Sequence, residues 1–230
     1  MNLSGRKIVV TGAFGALGAA VSAAVKSAGA QVACIDFAPA SKAPAACAGC
    51  VLIGEVDLSM PAAATKALGS AAAQLGGLDG IVNIAGGFRW EKIADGDIAT
   101  WDFMFNMNVR TAVNAVRAAL PLLKSPGARI VNIGAAGAVK AATGMGAYAA
   151  SKAGVAKFTE ALADELKDNR VTVNAVLPSI IDTPINRADM PTADFDRWVK
   201  PEQVADLIVF LLSERAAAIT GALIPIAGRV

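Results

Sequence analysis

Histidine is the amino acid that this chain lacks altogether, because none occurs among its 230 residues. Its absence excludes a histidine general base and any metal site built on imidazole ligands. Aromatic residues make up only 5% of the sequence, and Tyr148 is the single tyrosine. Acid–base chemistry by a phenol, if the protein performs any, must therefore use Tyr148.

Cysteine is also scarce, with only Cys34, Cys47 and Cys50. The spacing of Cys47 and Cys50 is that of a redox motif, but the pair is predicted to lie in a loop between strands, not in the strand–motif–helix setting of thiol enzymes. Three sulfurs without a histidine also fall short of a zinc ligand set. We therefore expect small buried or loop thiols and no metal, and a reactive pair of low pKa would contradict this expectation.

A strong charge of one sign and a long apolar run are missing too. Lys and Arg number 21 against 19 Asp and Glu, a net charge of +2 that indicates no nucleic-acid partner. The mean hydropathy of +0.51 comes from alanine, valine and glycine along the whole chain. The most apolar run, 204–212, is shorter than the ~18 residues of a membrane span. Without a signal-peptide layout at its start, the chain is expected to be cytoplasmic, with no membrane partner.

The sequence does contain a regular alternation of strand and helix patterns. Strands without clean polar–apolar alternation, separated by amphipathic helices, indicate a parallel sheet covered on both faces. We predict an α/β fold, a Rossmann-type doubly wound parallel sheet of about seven strands, in one domain over residues 1–230. The predicted strands are 7–11, 31–36, 51–56, 79–84, 128–133, 171–177 and 222–226. The first predicted helix follows the glycine turn and ends near residue 28, and the others span 61–75, 98–123, 148–167 and 201–212.

A glycine-rich turn follows the first predicted strand and opens the first helix. Glycines in that setting let backbone N–H groups approach a pyrophosphate at a helix N-terminus. Asp36, at the end of the second strand, lies where a ribose 2′-hydroxyl would sit. We therefore predict a dinucleotide site, the alternative being a glycine loop that only packs helix on strand. The cofactor candidates in the turn are Gly12, Phe14, Gly15, Leu17 and Gly18.

The ends of the later strands supply further cofactor candidates. The third strand is followed by a carboxylate that could meet an adenine edge, and the fourth by small residues that leave room for a ribose or nicotinamide. The sixth leads into an irregular stretch, 182–200, of a length that is usually functional. These candidates are Asp57, Leu58, Asn83, Ala85, Gly86, Pro178, Ile181 and Thr183.

Tyr148 and Lys152 form the candidate catalytic pair. Their spacing places both on one face of a predicted helix. A tyrosine gives up its proton near pH ~10, and a nearby cation lowers that pKa, so the pair could exchange a proton with a substrate. Asn108 lies within another predicted helix, an unfavourable position for asparagine. Its amide either has a specific task in the site or caps a buried carbonyl.

In this order, these residues resemble the short-chain dehydrogenase/reductase family over essentially the whole chain. The resemblance implies NAD(P)(H)-dependent hydride transfer, with Tyr148 as the acid–base and Asn108 holding a water that relays protons. It also implies that Lys152 binds ribose hydroxyls and lowers the tyrosine pKa. Asp36 is followed by Phe37, not by a cation that could neutralise a 2′-phosphate, which favours NAD(H), with NADP(H) as the alternative. A homodimer or homotetramer through the helices that carry Asn108 and Tyr148 is implied as well.

Thirteen residues before the tyrosine, the chain departs from the commoner family pattern. Ala135 stands where a serine usually hydrogen-bonds the substrate oxygen, and losing such a donor costs on the order of 10²–10³ in rate where charge develops on that oxygen. The dihydropteridine reductase branch of the family has alanine there, and its pattern is similar in the Gly15–Gly18 turn and from Asp182 to Trp198. A quinonoid ring accepts a hydride and a proton without forming an alkoxide, so it does not need the serine.

Three functions follow as hypotheses. The first is an NADH-dependent reductase of a small conjugated or quinonoid substrate, similar to dihydropteridine reductase. The second is a ketone or alcohol oxidoreductase that works without the serine, and the third a non-catalytic NAD(H)-binding sensor or scaffold. Residues 182–200 are predicted to form a lid loop over the substrate, although an aromatic side chain there could simply anchor the loop. The substrate candidates are Ala135, Trp90, Met190 and Trp198.

Overall fold

A computed structural model describes residues 1–124 and 126–230, and it contains one sheet of seven parallel strands in the order β3-β2-β1-β4-β5-β6-β7. This single-domain, doubly wound arrangement confirms the predicted fold class. The strands are β1 (Lys7–Thr11), β2 (Gln31–Ile35), β3 (Val51–Ile53), β4 (Gly80–Asn83), β5 (Arg129–Ile133), β6 (Thr172–Pro178) and β7 (Leu223–Ile226).

Helices cover both faces of the sheet, because the central strands are apolar on both sides and must be buried on both. One apolar layer lies beneath α1 and α7 and includes Val21 and Ile208, and the other lies beneath α2, α4 and α5 and includes Leu68 and Ile130. No helix among the described residues is both long and apolar enough to span a membrane. The helices are α1 (Ala16–Ser27), α2 (Pro61–Leu75), α3 (Ile98–Phe105), α4 (Thr111–Ala119), α5 (Gly146–Leu166), α6 (Pro184–Asp189) and α7 (Pro201–Leu212).

The strand order reverses between β1 and β4, and this reversal creates the crevice in which ligands of doubly wound sheets bind. Chain connections from β1 lead outward to β2 and β3, whereas those from β4 lead outward to β5, β6 and β7. The loops that leave β1 and β4 therefore diverge. Thr11 holds the two strand ends together, because its Oγ1 accepts hydrogen bonds from the main-chain N–H groups of Ile84 (3.2 Å) and Ala85 (3.3 Å).

Three predicted elements differ from the structure. The predicted helix 98–123 is interrupted by a π-helical turn at Asn106–Arg110 and ends in a 3-10 turn around Pro121. The third strand ends at Ile53, three residues early, where Glu55 takes up a left-handed conformation with φ 60°. The stretch 182–200 is not wholly irregular: Thr183 caps α6, its Oγ1 accepting the N–H of Asn186 (3.2 Å).

Candidate active site

A cleft of about 1000 Å³ opens at the carboxyl ends of the strands, at the point where the strand order reverses. Its position is the one expected for a ligand site in this fold, and its size is at the upper end for small-molecule sites. The cofactor candidates on its wall are Gly12, Gly15, Leu17, Gly18, Asp36, Asp57, Leu58, Ala85, Gly86 and Thr183.

The glycine turn forms a cradle at the N-terminus of α1. Gly12 has φ 62°, and a Cβ there would lie 2.7 Å from the main-chain nitrogen of Ala85. A Cβ on Gly18 would collide with the Gly12 carbonyl, so the turn can pack this tightly only with glycine. Gly15, the residue before α1, has no atom nearer than 3.7 Å on that side. Open space at the start of a helix fits a dinucleotide pyrophosphate.

Asp36 is fixed at the edge of the cleft by two main-chain hydrogen bonds. Its Oδ2 accepts the N–H of Phe14 (2.8 Å), and its Oδ1 accepts the N–H of Ala38 (2.9 Å). The Phe14 ring does not line the cleft and packs against the apolar layer of α1 and α7. Phe14 therefore contributes its backbone, which joins the glycine turn to the predicted ribose carboxylate.

Asn83, Pro178 and Ile181 do not line the cleft. Asn83 is buried within the sheet, where its Nδ2 donates to Asn132 Oδ1 (2.8 Å). Pro178 ends β6, and Ile181 forms an isolated bridge with Val199. These three cofactor candidates therefore lie outside the cleft wall.

Tyr148 and Lys152 lie in the first two turns of α5, as predicted, but their electrostatics differ from the expectation. Lys152 Nζ donates to the carbonyl of Ile133 (2.9 Å), and burial lowers the pKa of Lys152 to about 8. Burial also raises the pKa of Tyr148 to about 12. The predicted lowering of the tyrosine pKa is thus wrong for this arrangement, because desolvation of the phenolate dominates. The phenol keeps its proton at neutral pH.

Asn108 lies in the π-helical turn, and π-turns inside α-helices are frequent at functional sites. Its Oδ1 accepts the N–H of Gly87 (2.9 Å), while its Nδ2 donates to Gly87 O (3.1 Å) and Ser151 Oγ (2.9 Å). Both amide hydrogens are therefore used within the protein, so the side chain of Asn108 positions the loop after β4. The amide therefore holds a partly buried carbonyl, while the catalytic role expected for Asn108 stays a prediction that would use another atom of this residue.

Gly86 lies between the cleft and the side chains of Asn108 and Lys152. A Cβ on this residue would lie 2.5 Å from Asn108 Oδ1 and 3.5 Å from Lys152 Nζ. Since Gly86 also lines the cleft, the lysine and the asparagine meet directly behind its wall. A ligand that follows the wall past Gly86 comes within reach of α5.

Phe88 packs against the phenol, and the substrate candidates Ala135 and Trp90 lie on the loops after β5 and β4. The Phe88 ring meets the Tyr148 ring edge-on, with centroids 4.9 Å apart and an interplanar angle of 82°. Ala135 is buried two residues after β5, and its methyl group cannot donate a hydrogen bond. Trp90 is 54% exposed, and its Nε1 donates to the carbonyl of Thr143 (3.0 Å). The surface beside the phenol suits a flat, apolar ring.

Ion pairs and stacked side chains hold together the predicted lid loop, residues 182–200. The Asp182 carboxylate accepts hydrogen bonds from Arg187 (2.5 and 2.8 Å) and Lys200 (2.6 Å). Trp198 is only 5% exposed and lies 4.8 Å from the Phe195 ring, centroid to centroid. The substrate candidate Trp198 therefore anchors the loop. Met190 is partly buried at the end of α6 and is not on the cleft wall.

Several residues of the site were missed by sequence reasoning. Ser151 bridges the Asn108 amide and the Tyr148 carbonyl, to which it donates at 2.7 Å. Asn114 donates to the carbonyls of Leu58 (3.0 Å) and Ser59 (2.9 Å) and so fixes the loop after β3. A polar residue on the buried face of an apolar helix was the available signal for both. Phe103, Met107 and Ile185, which line the cleft, carry no such signal.

Comparisons with known proteins agree with this geometry. The family model described as enoyl-(acyl carrier protein) reductase matches residues 12–228. The 2-(S)-hydroxypropyl-CoM dehydrogenase 3 of Xanthobacter autotrophicus is 31% identical over 98% of this chain and 96% of its own length. The D-beta-hydroxybutyrate dehydrogenase of Rhizobium meliloti is 29% identical, with 93% of each chain covered. A short-chain dehydrogenase from Burkholderia cenocepacia, solved in complex with NADP, is 34% identical with a TM-score of 0.91 and covers 99% of this chain and 98% of its own.

Proposed function

Since the chain belongs to the short-chain dehydrogenase/reductase family and is thus an NAD(P)-dependent oxidoreductase, we propose that it uses NADH to reduce a small conjugated or quinonoid substrate. A dihydropterin of the kind that dihydropteridine reductase accepts fits this description. The observation that carries the proposal is Ala135, a buried methyl group at the position where the commoner family pattern has a hydrogen-bond donor.

The missing donor matters only for some substrates. Reduction of a ketone places negative charge on one oxygen, and a hydrogen bond to that oxygen is worth roughly 10²–10³ in rate. In a conjugated or quinonoid ring the incoming charge spreads over several atoms, and one proton neutralises it. Tyr148 can supply that proton, because a phenol with a pKa of about 12 is protonated at neutral pH. Phe88 meets the phenol edge-on and limits the orientations of its ring.

The residues of the chain would hold a dinucleotide along the cleft. The glycine cradle would take the pyrophosphate, Asp36 the adenosine ribose, and Gly86 the nicotinamide side near Lys152. A bound nicotinamide supplies the hydride. Ser151 donates to the Tyr148 carbonyl, Asn108 binds the Gly87 backbone, and the two side chains hydrogen-bond each other. This chain of hydrogen bonds fixes the position of the proton donor relative to that end of the cleft.

The charges on the cleft wall favour NADH over NADPH. Asp36 and Asp57 line the cleft, and no lysine or arginine occurs among the described residues on its wall. A 2′-phosphate would meet the Asp36 carboxylate without a cation to neutralise it. The related Burkholderia cenocepacia protein was solved with NADP, so the two cofactors should be compared directly by their Kd values.

The test of the proposal is turnover of quinonoid dihydropterin with NADH, followed by loss of NADH absorbance. We expect a rate well above the non-enzymatic one, and a loss of roughly 10²–10⁴ in kcat for Tyr148→Phe, the range of a general acid. Absence of turnover above the non-enzymatic rate would rule out the pterin substrate. Tight NADH binding together with unchanged behaviour of Tyr148→Phe would instead support the non-catalytic sensor or scaffold.

The names of two relatives support a second candidate, a ketone or alcohol oxidoreductase. Both the hydroxypropyl-CoM and the hydroxybutyrate enzyme are named for alcohol substrates. The substitution Ala135→Ser separates the two candidates. If the natural substrate is a ketone, the variant should gain roughly 10²-fold in carbonyl reduction, whereas reduction of a quinonoid ring should change little. Ala136→Ser, at the next position, is the matched control and should raise neither rate.

A further inference from the structure

All three cysteines of the chain meet beneath α1, although two of them lie far from the third in sequence. Cys34 lies on β2 and Cys47 in the loop between β2 and β3, and both are buried in the apolar layer of α1 and α7. Cys50 packs against the same layer and remains partly exposed. The cluster does not form a metal site, since no three His, Cys, Asp or Glu side chains in the described ranges are arranged to hold an ion.

Hydrogen bonds define the order of the three sulfurs. The Cys34 thiol donates to Ser22 Oγ (3.4 Å), and its pKa is raised by the neighbouring Cys50 and by burial. The main-chain N–H of Cys50 donates to the carbonyl of Cys47 (3.1 Å), so one turn holds these two residues together. The Cys47 thiol donates to the carbonyl of Ala13, in the glycine turn, at 3.6 Å.

A cation lies over the turn between Cys47 and Cys50. Lys26 of α1 donates to the carbonyl of Ala48, and a Cβ on Gly49 would lie only 2.7 Å from Lys26 Nζ. The neighbouring Cys34 thiol and then the charge of Lys26 lower the pKa of Cys50. Burial raises the pKa of Cys47. Cys50 is the only partly exposed thiol of the cluster and lies in the turn beside Lys26, so it is the best placed of the three to react as a thiolate, the reactive form of cysteine.

We propose that Cys50 is a peroxide-sensitive thiol and that Cys47 resolves its oxidised form into a Cys47–Cys50 disulfide. The Cys50 thiolate attacks one oxygen of a hydroperoxide. The O–O bond breaks, an alcohol or water leaves after taking up a proton, and Cys50 becomes a sulfenic acid. The Cys47 sulfur then attacks the Cys50 sulfur, the S–O bond breaks, and the Cys47 proton leaves with the hydroxyl as water. The two thiols lose two electrons, the hydroperoxide gains them, and an external dithiol reverses the change.

The disulfide would act on the dinucleotide end of the cleft. Cys47 contacts Ala13 in the glycine turn, and Cys34 is two residues before Asp36 on the same strand. Forming the disulfide draws the Cys47 sulfur away from the Ala13 carbonyl and removes the Cys50 thiolate beside Cys34. We expect the oxidised protein to bind NADH several-fold more weakly than the reduced protein.

Peptide mass spectrometry after hydrogen peroxide treatment can identify the bond. Trypsin cleaves after Lys26, Lys42 and Lys66, so Cys34 falls in peptide 27–42, whereas Cys47 and Cys50 share peptide 43–66. The expected product is peptide 43–66 lacking two hydrogens and restored by dithiothreitol. Free thiols on this peptide after treatment, or a link between the two peptides, would overturn the proposed pairing.

Three variants test the roles of the individual side chains. Cys50→Ser should form no disulfide and keep its NADH affinity after peroxide treatment. Cys34→Ala should still form the disulfide but react with peroxide roughly tenfold more slowly at pH 7, because a thiol with an ordinary pKa near ~8.5 is mostly protonated there. Lys26→Met should slow the reaction as well, with Lys42→Met as the matched control.

Two outcomes would contradict parts of the proposal. If Cys34→Ala reacts with peroxide as fast as the parent protein, Cys34 has no role in the mechanism. If the disulfide form binds NADH as tightly as the reduced form, the disulfide does not affect cofactor binding.

Discussion

At the scale of single residues, desolvation sets the protonation states of the candidate catalytic pair. Burial moves the pKa of Tyr148 up to about 12 and that of Lys152 down to about 8, so each shift favours the neutral form. The i,i+4 spacing predicted their common face of the helix correctly. It could not predict which electrostatic effect dominates, because the depth of burial depends on the elements that pack around α5.

The pH dependence of activity tests the state of Lys152. Below about pH 8 the buried amine carries its charge, and above that pH it becomes neutral. We therefore expect kcat/KM for reduction to fall above pH 8, since kcat/KM reports the pKa values of the free enzyme. Tyr148, with a pKa of about 12, should contribute no decline in this range.

Two lysine variants on the same helix assign the decline to its residue. In Lys152→Met the decline should vanish together with most of the activity. Lys157 is exposed, so Lys157→Met should keep the parent profile. A decline near pH 8 that persists in Lys152→Met would assign it to another group.

At the scale of elements, regular helices and strands followed from the sequence, and local exceptions did not. The helix Pro61–Leu75 was predicted to the residue, because Pro61 favours a helix start and Gly76 ends it with φ 70°. The π-turn that carries Asn108 was missed, since its amide is held by Gly87 and Ser151, both distant in sequence. The short helix α6 was missed although Thr183 and Pro184 form an N-terminal signal.

The lid loop depends on Asp182, whose side chain is only 8% exposed and binds two cations. Hydrogen bonds from Arg187 and then Lys200 hold the pKa of the Asp182 carboxyl well below its usual range. A depressed pKa means that the ion pairs stabilise the fold at neutral pH and that this contribution is lost as the pH falls below about 4 toward the folded-state pKa. Asp182→Asn should therefore raise KM several-fold and speed amide hydrogen exchange in α6.

The matched control for the lid is Asp189→Asn, at the exposed end of the same helix. It removes a carboxylate of the same type without touching the Arg187 and Lys200 contacts of Asp182, so KM and exchange rates should stay at the parent values. Equal exchange rates in α6 for Asp182→Asn and the parent protein would show that the ion pairs of Asp182 do not hold this helix in place.

At the scale of the whole molecule, the order of the strands determines where the site lies. The cleft is lined by residues that lie up to 74 positions apart in the sequence, from Gly12 of the glycine turn through Asp36 and Asp57 to Gly86. They come together because parallel strands end at the same edge of the sheet. The strand–helix alternation was therefore sufficient to predict where the cleft lies. The predicted substrate side includes Trp90 and the loop 182–200, whose positions are set by side-chain packing between loops, as the contacts of Trp90 with Thr143 and of Trp198 with Phe195 illustrate.

The surface of α3 leads to the last prediction, which concerns association. Ile98, Trp101 and Phe105 are 75%, 37% and 52% exposed and follow an i, i+3, i+7 pattern, so they form one apolar stripe. Exposed apolar patches of this kind commonly mark protein–protein contacts.

We expect a homodimer or homotetramer that covers this stripe, and light scattering should give two or four times the chain mass of 23.2 kDa. The double variant Ile98→Asp, Phe105→Asp should shift the mass toward one chain, because a charge is costly at the apolar core of an interface. Ile185 on α6 is as exposed as Ile98, so Ile185→Asp is the control and should leave the mass unchanged. A mass of 23.2 kDa for the parent protein would show that no second copy of the chain covers the stripe.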